Sequence, residues 1–211
     1  MIVKVCGMRD PENIRDLLAM AKPDLMGLIF YPRSSRYVMN GTADPEFYRE
    51  LDVTKVGVFV QEPLDQLLDK VARYGLGYAQ LHGDEDSAYV AALRASSPVK
   101  IIKVFRIASD WDWAEVDPFL HESDWFLFDT ATPQFGGSGK TFSWDLLRRY
   151  PYQVPFLLSG GIGEAHAVEI RQLMKEVPSM LGVDINSKFE LAPARKDVSK
   201  IQTFIQELRL S

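Results

Sequence analysis

Two side chains in the sequence are suited to moving protons between carbon and oxygen: the thiol of Cys6, the only cysteine, and the carboxyl of Asp129. A thiol that takes a proton from carbon must first ionise, which burial opposes and a nearby cation favours. Lys4, two residues earlier on an alternating strand pattern, points to the same face and is such a cation. Asp129 in the complementary role has to arrive protonated, which partial burial promotes. This pair of opposite protonation demands fits an isomerisation. The plainer alternatives are a small core hydrophobe for Cys6 and a turn cap beside Thr130 for Asp129.

Other candidates follow the same placement, at the ends of apolar runs. Gly160-Gly161 and Asn186-Ser187 lie in LLSGGIG and GVDINSKFE. There, glycines allow backbone amides close to an anion, and Asn186 or Ser187 can cap a helical turn whose free amides face phosphate oxygens. Arg33 and Arg36 in FYPRSSRYV can grip a carboxylate bidentately or simply face solvent. His82 in QLHGDED either hydrogen-bonds a ligand or satisfies a carbonyl, and the second role is favoured. Asp184 ends the last apolar run.

For these residues to meet, the runs must end on one rim. Short apolar, β-branched segments recur at Ile2–Cys6, Leu25–Phe30, Lys55–Val60, Tyr78–Leu81, Val99–Phe105, Trp125–Asp129, Pro155–Ser159 and Met180–Asp184. Helical spacing occupies Pro11–Met20, Pro63–Tyr74, Ser87–Ala95, Ser143–Tyr150, Glu164–Glu176 and Asp197–Leu208. Eight regular strand–helix units predict a single-domain (β/α)₈ barrel over residues 1–211, with strand C-termini and their loops building the site. An open doubly wound sheet fits less well, because no G-x-G-x-x-G follows the first strand. About 26 residues per unit, against ~31 in a typical ~250-residue barrel, requires short connections. The longest expected loop, Thr130–Thr141, carries Gly136, Gly137, Ser138, Gly139 and Lys140.

Composition narrows the function classes. With 46% apolar and 25% charged residues the chain is globular. A net charge of −5 with interspersed signs argues against nucleic acid as a partner. No apolar run approaches the ~20 residues of a membrane span, so a soluble, cytoplasmic protein is expected. A lone cysteine excludes an intrachain disulfide, and His82, His121 and His166 lack metal-binding spacing, so no metal is expected. Trp111, Trp113 and Phe119 suit a core or an interface equally, leaving monomer and homodimer open.

The segments KVCGMRD, GLIFYPRSSRYV, VGVFV, QLHGDE, FLFDT, QFGGSGKTFSW, LLSGGI and GVDINSKFE resemble, collinearly over nearly the whole chain, the phosphoribosylanthranilate isomerase family. The resemblance implies a (β/α)₈ barrel that performs an Amadori rearrangement of a phosphorylated ribosyl anthranilate in tryptophan biosynthesis, without metal or organic cofactor. It also implies Cys6 as general base, Asp129 as general acid, Arg36 as ligand of the anthranilate carboxylate and Asp184 as a contact of its amine. Gly160, Gly161 and the Asn186 region would hold phosphate, and the Gly136–Lys140 loop would act as a lid. One departure stands out, since the family usually reads S-S-G-V-E where this chain has Asn186-Ser187-Lys188-Phe189-Glu190. Lys188 is expected to add favourable charge toward phosphate. The related histidine-pathway isomerase relies on paired aspartates and fits less well than this family; a catalytically inactive phosphosugar binder is the alternative from another class.

Overall fold

The computed structural model describes residues 1–130 and 144–210. Parallel strands β1 (Ile2–Val5), β2 (Leu25–Ile29), β3 (Thr54–Phe59), β4 (Tyr78–Leu81), β5 (Lys100–Ile107), β6 (Trp125–Thr130), β7 (Phe156–Ser159) and β8 (Met180–Ile185) close in sequence order into a barrel. The expected eight-stranded barrel is therefore present, with β8 pairing back to β1 so that Lys4 stands opposite Asp184. Strand residues alternate between two cores. Leu25, Val56, Tyr78, Ile102, Val104, Leu127 and Leu157 fill the interior. Their outward neighbours, such as Val3, Val5, Met26, Leu28, Phe126 and Phe128, pack against the surrounding helices.

Those helices are α1 (Pro11–Met20), α2 (Pro45–Glu50), α3 (Leu64–Tyr74), α4 (Ser87–Ser96), α5 (Ala167–Glu176) and α6 (Val198–Leu208). Aspartates start four of them: Asp10, Asp44, Asp86 and Asp197 each accept a backbone N–H from the residue three positions on. This satisfies a free amide of the first turn and places negative charge at the positive end of the helix. α3 ends at Gly75 in the left-handed region (φ 60°), where a side chain would be strained.

Four connections differ from expectation. α2 has the Asp-Pro start signal but only six residues, too few to show apolar periodicity. The helix expected at Ser143–Tyr150 is a 3₁₀ segment, Trp144–Arg149, and Glu164–His166 is likewise 3₁₀ before α5 begins. Between β5 and β6 the connection is the 3₁₀ segment Trp113–Phe119, with Pro118 inside it. Its aromatics are not free surface: Phe119 packs on Phe105 at 5.4 Å, Trp111 on Phe105 at 5.9 Å and Trp113 on Phe128 at 5.2 Å. They cover the outer face of β5 and β6 in place of a full helix.

After β8, a 3₁₀ turn at Ser187–Phe189 leads into an unexpected antiparallel pair, β9 (Glu190–Ala192) and β10 (Arg195–Lys196). Asn13 of α1 fixes this pair from below, its Nδ2 donating to Lys196 O (2.9 Å) and its Oδ1 accepting from Lys196 N (2.7 Å). The expected lid residues Gly136, Gly137, Ser138 and Gly139 lie outside the described residues. No described helix is long and apolar enough to cross a membrane.

Candidate active site

A cavity of about 360 Å³ opens at the strand C-termini, a size suited to a small metabolite. Ile29, Val58 and Val60 give it an apolar wall, and Gly160, Gly161, Asn186, Ser187 and Lys188 form its polar side. Cys6, His82, Asp129 and Asp184 line the same space. The barrel thus brings together the expected Cys6, Asp129, His82, Asp184 and glycine-loop residues. Arg33 is exposed on the loop after β2 and does not line the cavity.

Cys6 sits just past the end of β1, its N–H donating to Ile185 O of β8 at 2.9 Å. The neighbouring strand makes room for its sulfur at Gly27, where an added Cβ would stand 2.8 Å from Sγ. Burial pushes the Cys6 thiol above its ordinary value; the positive charges of Lys4 and Lys196 pull the other way without prevailing. The resting side chain is therefore a thiol in a strongly cationic setting. Lys4 itself is fully buried and donates to Asp184 Oδ1 at 2.8 Å. Burial alone would lower its pKa, but Asp184 and Cys6 outweigh that and raise it, so it is held as an ammonium.

Across the cavity, Asp129 carries a pKa raised first by burial and second by the charge of Asp184, with Arg106 opposing. A carboxyl so placed stays protonated to higher pH, as a proton donor requires. Arg106 was missed by sequence reasoning because β5 runs past its expected end; it pairs in register with Asp129 and donates to His82 O at 3.1 Å. His82 Nε2 lies 3.7 Å from Asp129 Oδ2. Burial first, then Lys4, Arg106 and Lys103, lower the His82 pKa to about 4, so the contact is dipolar and not an ion pair. Gln80 Nε2 lies 3.1 Å from His82 Nδ1. With the amide assigned this way, Nδ1 accepts and Nε2–H faces Asp129.

On the polar side, Gly160 adopts φ +97° and Gly161 φ +63°. A Cβ at Gly160 would meet Thr130 O at 2.3 Å and Asp129 Oδ1 at 2.7 Å, so the loop needs glycine for both its conformation and its approach to the acid. Asn186 does not cap the following turn as expected. It makes no side-chain cap bond, and its Oδ1 instead accepts from Lys196 Nζ at 2.6 Å. The buried ammonium is a stronger donor than a backbone amide and takes the oxygen. With only three residues, that turn supplies little helix dipole.

Arg36 borders the cavity without lining it: its Cδ and the Oδ1 of the wall residue Asn186 both pack against Gly7, where an added Cβ would meet them at 2.8 and 2.9 Å. Its guanidinium is held by Glu190, Nε donating to Oε1 at 2.8 Å and Nη2 to Oε2 at 2.5 Å. Lys196 Nζ donates to the same carboxylate at 2.8 Å. Burial would raise the Glu190 pKa, but Arg36 and Lys196 overcome it and hold the group below the usual range. Neither Glu190 nor Lys196 was singled out by sequence reasoning as a site residue; the matching glutamate at the end of the family's S-S-G-V-E segment is the signal that could have found Glu190, and none marks Lys196. Among the described residues no cluster of His, Cys, Asp and Glu could hold a metal ion.

The sequence model of the family described as N-(5'-phosphoribosyl)anthranilate isomerase matches residues 3–207. The chain belongs to this family. A phosphoribosylanthranilate isomerase of Phocaeicola vulgatus is 44% identical over 209 residues, covering 99% of this chain and 98% of the relative. The crystal structure of phosphoribosylanthranilate isomerase from Thermotoga maritima superposes with a TM-score of 0.82 at 32% identity, covering 99% of each chain. Another isomerase structure, solved in complex with reduced 1-(o-carboxyphenylamino)-1-deoxyribulose 5-phosphate, has a TM-score of 0.78 at 28% identity, again over 99% of each chain. The fold and the collinear motifs of the phosphoribosylanthranilate isomerase family therefore extend over nearly the whole sequence.

Proposed function

We propose that this chain performs the Amadori rearrangement of N-(5'-phosphoribosyl)anthranilate to 1-(2-carboxyphenylamino)-1-deoxyribulose 5-phosphate in tryptophan biosynthesis, by general acid–base catalysis and without a metal. The observation that carries this reading is a thiol, Cys6, and a protonation-prone carboxyl, Asp129, in one cavity between an apolar wall and a glycine-lined anion side.

Asp129 gives its proton to the ribose ring oxygen as the C1–O bond breaks, and the anilino nitrogen lone pair forms a C1=N⁺ bond. The iminium acidifies the neighbouring carbon. Cys6 as thiolate takes the proton from C2, the C–H electron pair forms C1–C2 unsaturation that neutralises the nitrogen, and the resulting enolamine tautomerises to the ketone. The competent form pairs a thiolate with a carboxylic acid: burial favours the acid form of Asp129, and the charges of Lys4 and Lys196 stabilise the sulfur anion. The neutral Nε2–H of His82 faces the Asp129 carboxylate left after proton transfer. Ile29, Val58 and Val60 suit the aromatic ring, while Gly160, Gly161, Asn186, Ser187 and Lys188 suit the phosphate.

The test generates substrate in place from anthranilate and phosphoribosyl pyrophosphate with a transferase, and follows loss of its fluorescence. Wild type, also after EDTA treatment, should consume it rapidly, and Cys6→Ser and Asp129→Asn should nearly abolish the loss. Consumption no faster than the spontaneous rate, with tight binding of the reduced product, would leave an inactive phosphosugar binder instead.

A further inference from the structure

A guanidinium offers two bidentate edges, Nε/Nη2 and Nη1/Nη2. Glu190 occupies the first edge of Arg36, and among the described residues Nη1 has no hydrogen-bond partner. An arginine so paired has a drawback as an anion receptor, because one carboxylate already cancels its charge. Lys196 removes it. Its side chain is fully buried and its ammonium donates to Glu190 Oε1 and to Asn186 Oδ1, a residue of the cavity wall. Burial lowers the Lys196 pKa while the Glu190 carboxylate opposes it; with Arg36 and Lys196 protonated and Glu190 ionised, the three carry a net charge of one positive unit. That unit stands where Arg36 Cδ and Asn186 Oδ1 both approach Gly7, the residue after Cys6. The arrangement is rigidly built: Ala194 N donates to Glu190 Oε1 at 3.1 Å, and Asn13 holds the backbone of Lys196 on both sides. A surface arginine needs no such scaffold.

We propose that Lys196 is a positioning residue that keeps the Arg36–Glu190 pair net positive, so that the free Nη1/Nη2 edge of Arg36 receives the carboxylate of the substrate's aromatic ring. This rests on the reaction proposed above and assigns discrimination for that carboxylate to charge balance in a buried triad. Glu190 orients the receptor and Lys196 restores the charge that orientation costs. The same triad favours a ring bearing an ortho carboxylate over an unsubstituted one.

The test is calorimetric titration with two unreactive ligands, reduced 1-(o-carboxyphenylamino)-1-deoxyribulose 5-phosphate and its analogue with hydrogen in place of the carboxyl. Wild type should prefer the carboxylated ligand. Lys196→Met should reduce that preference by about tenfold, the scale expected when a neighbouring unit charge is removed in a partly desolvated site. Lys196→Arg should keep it. The Glu190→Gln/Lys196→Met double variant returns the triad to one positive unit and should regain the preference, which a merely structural role for Lys196 does not predict. Affinity for the decarboxylated analogue reports an intact fold in each variant. A Lys196→Met protein that keeps the wild-type preference, or a double variant that binds the analogue normally but stays as indifferent as Lys196→Met, overturns the inference. A wild type that binds neither ligand overturns the proposed reaction itself.

Discussion

Replacing Gly27 by Ala tests whether the position of the Cys6 sulfur sets the rate. The added methyl would stand 2.8 Å from Cys6 Sγ, 3.0 Å from its Cα and 3.2 Å from its Cβ. Contacts between such atoms settle near 3.5–4.0 Å, so the sulfur and the end of β1 must retreat by roughly 0.7–1 Å. The retreat is resisted, because Cys6 N is bonded to Ile185 O and both Gly7 N and Met8 N to Gly27 O. Overpacking of this kind costs about 1–3 kcal/mol, and at about 2–4 °C per kcal/mol for a chain of this size the melting temperature should fall measurably. A 1 Å displacement of a reacting group costs about a hundredfold in rate, so kcat should fall by one to two decades while KM changes little. Gly163→Ala is the stability control, since its methyl would meet only Lys188 at 3.8 Å and above. The assays are fluorescence turnover and calorimetric melting on both variants. Wild-type kcat in Gly27→Ala, despite a lowered melting temperature, would refute the claim that sulfur placement is rate-determining.

The sole thiol permits an unambiguous alkylation titration: with burial holding Cys6 above its ordinary 9.0, iodoacetamide labelling should be half-maximal above pH 9. Lys4→Met should move it higher, and a plateau by pH 8 would contradict the burial argument. His82 has a folded pKa of about 4 against an ordinary 6.5, so the unfolded chain protonates first as pH falls. Its contribution is complete above pH 6.5 and lost as pH falls through 4, about 3 kcal/mol in all. Urea midpoints should therefore drop more steeply between pH 7 and 4 for wild type than for His82→Gln, and parallel slopes would count against the depressed value. Lys188 is exposed on the cavity rim, and Lys188→Gly should raise KM a few-fold, less so at high salt. A several-fold lower KM would mean that the side chain crowds the phosphate.

Much of the site was legible because barrel geometry converts sequence position into spatial position. A polar residue at or just past the end of an apolar run lies on the rim, so Cys6, His82, Asp129, Gly160-Gly161 and Asp184 could be grouped from the sequence alone. Helix starts near Pro11, Ser87 and Asp197 were equally readable, since capping is a contact between near neighbours. Local rules failed where a competitor came from elsewhere in the chain. Asn186 looks like a cap until Lys196 arrives to claim its oxygen. Arg36 looks like a free receptor until Glu190, 154 positions later, takes one edge. Trp111, Trp113 and Phe119 gave no sign that a 3₁₀ segment would lay them on β5 and β6.

The sequence by itself determined the barrel, the family and the chemical types at the rim, because apolar periodicity, caps and motif order are properties of short segments. Only the tertiary structure decided the charge states and the pairings. Closing β8 on β1 buries Lys4 against Asp184 across 180 positions. The β9–β10 pair brings a second buried lysine to Glu190 and Asn186. Desolvation and Coulomb energy depend on what surrounds a group and not on its neighbours in the chain. That is why the depressed pKa of His82, the raised pKa of Asp129 and the net charge around Arg36 appear only once the barrel is closed.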